Sequence, residues 1–327
     1  MPRFMRSIVA LALFLLAACS SADADMRPGL RPIAVTAVAV PLDAADPSRD
    51  RVGKLRYLGG IELKSRDVRF GGLSALRSMG PGRLLSVTDG GQWIAIDLDE
   101  QGDRLVGLKG AMIDIVRGPE REPLKGKAHA DAEALEFGPG GATVAFEREH
   151  RIWHYRTLDG AARSEAFPDQ RWLESLPPNN GIEAIAKVGG AWLYIAEAAL
   201  ADGRHEGVLL DPSGFNRNYA RVTVDVPAPF HPTDAHALGD DQVLILARRF
   251  SPLQGVGAAL LLAAVDSKGM TLGKSELLAE LAPPLTVDNM EGLAVVRSGD
   301  RTFVYMASDD NFSPLQRTLI LKFELLR

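Results

Sequence analysis

DAEALEFGPGGATVAFE (131–147) is answered fifty residues later by GIEAIAKVGGAWLYIAE (181–197): a short acidic phrase, a glycine turn, and an apolar run that closes on a second acid. The same phrase occurs three more times, as GGLSALRSMGPGRLLSVTD (71–89), PTDAHALGDDQVLILAR (232–248) and NMEGLAVVRSGDRTFVYMASD (289–309). Aligned on Ser74, Glu133, Glu183, Asp234 and Glu291, the copies are 59, 50, 51 and 57 residues apart. A second polar anchor closes each copy, at Asp89, Glu147, Glu197, Arg248 and Asp309. A period of roughly 40–50 residues with several strands per unit marks a β-propeller.

Around these phrases lie short apolar runs such as WIAIDL (93–98), VLILA (243–247) and FVYMA (303–307), separated by Gly, Pro, Asn and Asp. Strands joined by tight turns read this way, because Gly and Asp tolerate the left-handed backbone that hairpins need. Long helical periodicity is absent. Five units are explicit, and the unmatched ends, KLRYLGGIEL (54–63) and TLILKFELLR (318–327), supply strands for a sixth blade. The expected fold is therefore an all-β propeller of six blades, its ring closed by N- and C-terminal strands so that no sheet edge is left open. The charged stretch KGAMIDIVRGPEREPLKGKAHA (109–130) reads as a long loop over one face.

The beginning of the chain has a different character. Arg3 and Arg6 precede an apolar run from Ile8 to Ala18, too short to span a bilayer and built like a secretory leader. It ends in Leu16-Ala17-Ala18-Cys19, which resembles the lipobox of bacterial lipoproteins, and Cys19 is the single cysteine. That resemblance implies a leader over 1–18, lipidation at Cys19, and residence at the outer membrane facing the periplasm. Residues 19–50, rich in Ala, Asp and Pro, read as a tether, and 51–327 as one propeller domain. Loss of Arg3 and Arg6 moves the net charge from −5 to −7, and no basic block offsets it, which argues against nucleic acid as a partner. No oligomerisation helix is visible, so a monomer is expected.

Inner strands line a propeller's channel, so Glu133, Glu183, Glu291 and Asp234 should converge near one mouth, joined by Asp89 and Asp309. Several close carboxylates cannot all ionise without a cation or a shared proton. An oxygen-rich set without thiolates suits calcium. Each acid also has a plainer reading, as a cap for backbone amides or a bridge to an Arg in the next blade. Arg248, where other blades carry an acid, its neighbour Arg249, and Arg148 are candidate clamps for an anionic substrate, again with inter-blade salt bridges as the alternative. Asn180 and Asn311 add amide contacts. Nucleophile signals are poor: GLSAL (72–76) lacks the second Gly of a nucleophile elbow, and His129, His231 and His236 stand in no metal-ligand pattern.

GGLSAL, DAEALEF, NNGIEAIA, PTDAHAL with VLILARRFSP, and DNMEGLAV with SDDNFSPLQRTLILKFEL resemble, in order, the phytase-like, "esterase-like activity" family of exported bacterial proteins. The resemblance runs from about Lys54 to the end of the chain. It implies a β-propeller in which acidic residues hold calcium that binds substrate phosphates and activates water. Asn180 departs from the pattern, which has Arg there, and removes a possible anion contact. The leading expectation is a calcium-dependent ester or phosphoester hydrolase acting on a small anionic substrate. A non-catalytic ligand- or envelope-binding propeller is the main alternative, and a lactonase-like calcium propeller a further one.

Overall fold

The computed structural model describes residues 29–165, 167–211, 218–253 and 255–326. The leader, the lipobox and Cys19 lie outside the described residues.

Four strands come first: β1 (Arg31–Ile33), β2 (Val35–Val40), β3 (Arg51–Val52) and β4 (Leu55–Ser65). Next come β5 (Arg77–Ser78), β6 (Arg83–Val87), β7 (Gln92–Gln101) and β8 (Arg104–Ile115). A single-turn helix, α1 (Lys127–Ala130), leads into β9 (Ala132–Gly138), β10 (Gly141–Phe146), β11 (Arg151–Tyr155) and β12 (Arg163–Ser164). After α2 (Gln170–Ser175) follow β13 (Ile182–Val188), β14 (Ala191–Ala199), β15 (His205–Leu210) and β16 (Tyr219–Val224). The fourth group is β17 (His231–Ala237), β18 (Gln242–Ser251), β19 (Gly255–Asp266), β20 (Thr271–Leu272) and β21 (Glu276–Leu281). The last is β22 (Met290–Ser298), β23 (Arg301–Ser308) and β24 (Thr318–Leu325).

These strands form five antiparallel sheets, and therefore five blades rather than the expected six. The innermost strands β5, β9, β13, β17 and β22 pack side by side around one axis and return to β5. Termini do close the ring, but within the fifth blade: β24 pairs with β23 on one side and β4 on the other, with Ile320 opposite Ile61. The reason is a shortage of strands. The fifth phrase supplies β22 and β23, one further strand, β24, follows among the described residues, and β4 completes that sheet with β2 on its outer edge. A sixth blade would need an inner strand of its own.

Burial tells the same story. Five apolar clusters fill five seams, one between each pair of neighbouring blades. Alternate residues of one strand feed opposite seams, as the two-residue period requires. In β18, Leu244 and Leu246 face the fifth blade while Val243, Ile245 and Ala247 face the third. Two further expectations are corrected here. Residues 31–40, read as tether, form edge strands on β8 and β4. The loop read from 109 begins only after Ile115, since Lys109–Ile115 continues β8.

One irregularity recurs at a fixed phase. In the second blade Phe146 pairs with Ala132 and Ala145 with Ala134, so Glu133 is an extra residue, a β-bulge. Glu183, Thr233 and Glu291 are the extra residues in the next three blades. A bulge turns its side chain out of the regular alternation, and bulges concentrate near functional sites. The fourth blade's counterpart of the glutamates is therefore Thr233. Asp234 is one step further along, at a position where the phase of the strand sends it elsewhere.

Candidate metal centre at the channel mouth

Asp234 belongs to the axle of the propeller. Its carboxylate accepts from both terminal nitrogens of Arg77, at 2.9–3.0 Å, and from the backbone N–H groups of Leu293 (2.7 Å), Ala235 (2.8 Å) and Leu76 (3.3 Å). Arg77 also donates to the carbonyls of Ile185, Ala235, Leu293 and Leu76 and to Glu136. One guanidinium from β5 thus contacts the inner strands of all four other blades. Both side chains are buried, at 1% and 0% exposure. Burial lifts the Asp234 carboxyl to about 6, while Arg77 and the amides oppose the rise, so the pair is ionised at neutral pH. Every Asp234 oxygen is engaged, and the residue does not join the acids at the mouth. His236, half-buried on the same strand, is pushed down to about 3 by desolvation and by Arg77, which leaves it neutral and a weak base.

One pleat nearer the mouth, the bulged glutamates converge. The closing anchors meet them through a repeated backbone bond: Asp89 N–H to Gly72 O, Glu147 to Asp131, Glu197 to Gly181 and Asp309 to Asn289. The closing anchors therefore share one phase, as their spacing in the sequence implies.

The mouth has two sides. On the first, carboxylate oxygens of Asp131, Glu133 and Glu147 lie within 4.8 Å of one another. Burial, then the neighbouring acids Glu183, Glu291, Asp131 and Glu147, raises Glu133 well above the usual carboxylate range. Burial and the Glu197 and Glu147 charges do the same to Glu183. Glu147 is also raised by burial, although Oε1 accepts the Gly181 N–H at 2.7 Å. Asp89 is raised by burial against the pull of Lys127.

On the second side, Arg248 reaches Glu291 at 3.0 Å and Glu197 at 3.4 Å. Glu291 is lifted to about 7 by burial, with Arg248 and an Asn289 amide at 2.7 Å holding it down. Asp309 is lifted to about 9, by burial first and then by the Glu291 charge. Asn180 donates to Glu197 at 2.8 Å, and the Asn311 backbone N–H, not its amide, bonds Asp309 at 2.6 Å.

Of the residues expected from sequence, Glu133, Glu183, Glu291, Asp309 and Asp89 are at the mouth, with Arg248, Arg148 and Asn180. Arg148 spends its Nε on Asp131 at 2.5 Å, and its backbone is left-handed, φ 59°. Arg249 points the other way from Arg248, as alternation demands, toward Glu280 at 3.5 Å and the Phe230 ring. It is not a mouth residue. Neither is Asn311's exposed side chain shown holding anything. Sequence reasoning missed Asp131, Glu147 and Glu197 as ligand candidates, and Lys127 and Arg77 altogether. Asp131 and Glu147 open and close the phrase and were open to discovery; nothing local marks Lys127 or Arg77.

The donor set consists of oxygens, with eight acids (Asp89, Asp131, Glu133, Glu147, Glu183, Glu197, Glu291, Asp309) against Lys127, Arg148 and Arg248. Oδ1 of Asp89 and Oδ1 of Asp131 are buried with no hydrogen-bond partner. Such orphaned carboxylate oxygens, beside a three-acid cluster, suit a hard cation with oxygen ligands.

Fold and mouth define a closed β-propeller with an oxygen-lined acidic centre on its axis. The chain belongs to the phytase-like family, described as having the esterase-like activity of phytase, which matches over residues 68–312. No curated protein matches it. Among solved structures it is similar to a thermostable family-43 glycoside hydrolase, at 11% identity and a TM-score of 0.44 over 77% of this chain and 89% of that one. It is also similar to the WD40 β-propeller domain of Doa1, at 9% identity and a TM-score of 0.36 over 83% and 97%.

Proposed function

We propose that the mouth is the site of a calcium-dependent hydrolase acting on a small anionic ester or phosphate ester. The observation that carries this reading is the pair of orphaned, buried oxygens on Asp89 and Asp131 beside the Asp131–Glu133–Glu147 cluster. Those residues, with Glu183, would hold the ion. Calcium bound there supplies a Lewis acid for the substrate oxygen and acidifies bound water.

The chain's own residues supply the proton chemistry. Glu291, lifted to about 7 in the metal-free mouth and lowered from there by a bound cation, is ionised at neutral pH and is the candidate general base. Asp309, lifted to about 9 in the metal-free mouth by burial and the Glu291 charge, is the candidate proton donor to a leaving group, a role it can fill only from beyond the ion's direct reach. Arg248 keeps Glu291 from rising further. The Arg77 plug and the four bulged strands fix the mouth from beneath, so the acids are held in place before substrate arrives.

The test is hydrolysis of p-nitrophenyl phosphate, phytate, short acyl esters and lactones, each with calcium and with chelator. We expect calcium-dependent turnover on at least one ester class, reduced by about 10²-fold or more in Glu291→Gln. Turnover that survives both chelator and Glu291→Gln would overturn the reading. The binding-propeller alternative draws on one observation: Arg148 and Arg248 are both committed to carboxylates, so the mouth offers an anion little unpaired positive charge. Calcium binding without turnover on any substrate would favour it. We further propose that the protein is exported, anchored at Cys19 on the periplasmic side of the outer membrane, and works as a monomer.

A further inference from the structure

α1 is one turn long, and Lys127, its first residue, reaches into the mouth. Its Nζ donates to Asp89 Oδ2 at 2.9 Å and stands 3.6 Å from Asp131 Oδ1. It therefore sits across the seam between the first and second blades, against the same two carboxylates whose Oδ1 atoms have no hydrogen-bond partner.

The segment that carries Lys127 lies at the surface, tied back by His129 to Glu149 at 2.8 Å and by an Arg151 bond to the His129 carbonyl. Residues 119–129 are exposed except for half-buried Leu124, and burial resumes only at Ala130. Gly126, just before Lys127, is left-handed at φ 75°, with nothing within 4 Å of where a Cβ would stand. No side chain caps α1. The Lys127 side chain itself remains 53% exposed. An ammonium on a long stem, itself half exposed, can trade these carboxylates for water once a divalent ion takes over their charge.

We propose that Lys127 is a tethered stand-in cation: it occupies the edge of the mouth when no metal is bound, and a divalent ion must displace it to bind Asp89 and Asp131. Lys127 thereby sets the calcium concentration at which the site fills. This rests on the reading of the mouth as a calcium seat. An ammonium and a divalent ion on the same two carboxylates repel each other, so filling the seat favours release of Lys127 into solvent.

Two measurements test this on the full-length protein. Calcium titration by calorimetry should show Lys127→Met binding about two- to tenfold more tightly than the parent, with Lys127→Arg close to the parent. Acetylation of Lys127 by acetic anhydride, read by mass spectrometry, should be slow without calcium and faster with it. Unchanged or weaker affinity in Lys127→Met, an equal gain in Lys127→Arg, or an acetylation rate indifferent to calcium would overturn the latch while leaving the calcium seat standing. Absence of calcium binding in every form would overturn both.

Discussion

Arg77 ties the ring together at its axis. Its side chain contacts the inner strands of all four other blades, and its partner Asp234 has no access to water. Removing one member of a buried pair strands the other charge. Arg77→Met should therefore destabilise the protein by about 3–5 kcal/mol in denaturant unfolding, far more than loss of any rim ion pair such as Arg204–Asp202. Asp234 was legible as an important acid but not as this one. Acid matched acid in the alignment, and a one-residue error in β register exchanges one face for the other. Titration offers a second prediction at this scale. Glu291 and Asp309 bind protons more tightly folded, at about 7 and about 9, than the unfolded chain does near pH 4. Their contribution to stability is complete at low pH and is lost as pH rises through those values. In chelator, the melting temperature should fall between about pH 5 and pH 9. Calcium, which favours the ionised acids, should flatten that fall.

Among elements, the bulge and the closing strand matter most. The bulged residue of each inner strand is what aims Glu133, Glu183 and Glu291 at one point, and the spacing of the phrases already carried that information for three blades of the ring. The fourth blade hid it, because Thr233 at the bulge is unremarkable beside Asp234. Blade number was misread for a different reason. Sequence shows strands, but whether two terminal strands share a sheet with each other alone or with β23 depends on pairing across the whole chain. β24 answers this by bonding both β23 and β4. Deleting residues 318–325 would leave two long sheet edges bare and open the seams that Ile320, Leu319 and Leu321 fill. We expect that truncation to abolish the cooperative melting transition followed by circular dichroism. Lys127 was invisible for a related reason: a lone Lys in an irregular charged stretch acquires meaning only from the two carboxylates the fold sets beside it.

For the molecule as a whole, near five-fold repetition builds the frame, and departures from it build the site. The first blade contributes Ser74 and the fourth Thr233 where the others carry glutamate, and the fourth closes on Arg248 rather than an acid. The result is a mouth in which Glu291 and Asp309 lie on Arg248's side and Asp131, Glu133 and Glu147 form a tight cluster on the other, with Glu133 and Glu147 lifted by burial as Glu291 and Asp309 are. That the mouth would be lined by carboxylate oxygens was legible from the repeated acidic phrase, since the chain has one Cys and six His. Which oxygens meet was not, because that depends on bulges and on the side of the channel each strand end reaches. The expected anchor makes its own claim at this scale: Cys19→Ser should abolish incorporation of labelled palmitate and release the protein from membranes in fractionation. The central claim is tested most directly by calcium calorimetry of the parent protein beside Glu133→Gln and Glu147→Gln. Saturable binding in the parent, weakened at least tenfold in both variants, is the predicted result; no binding, or binding equally strong in all three, would contradict it.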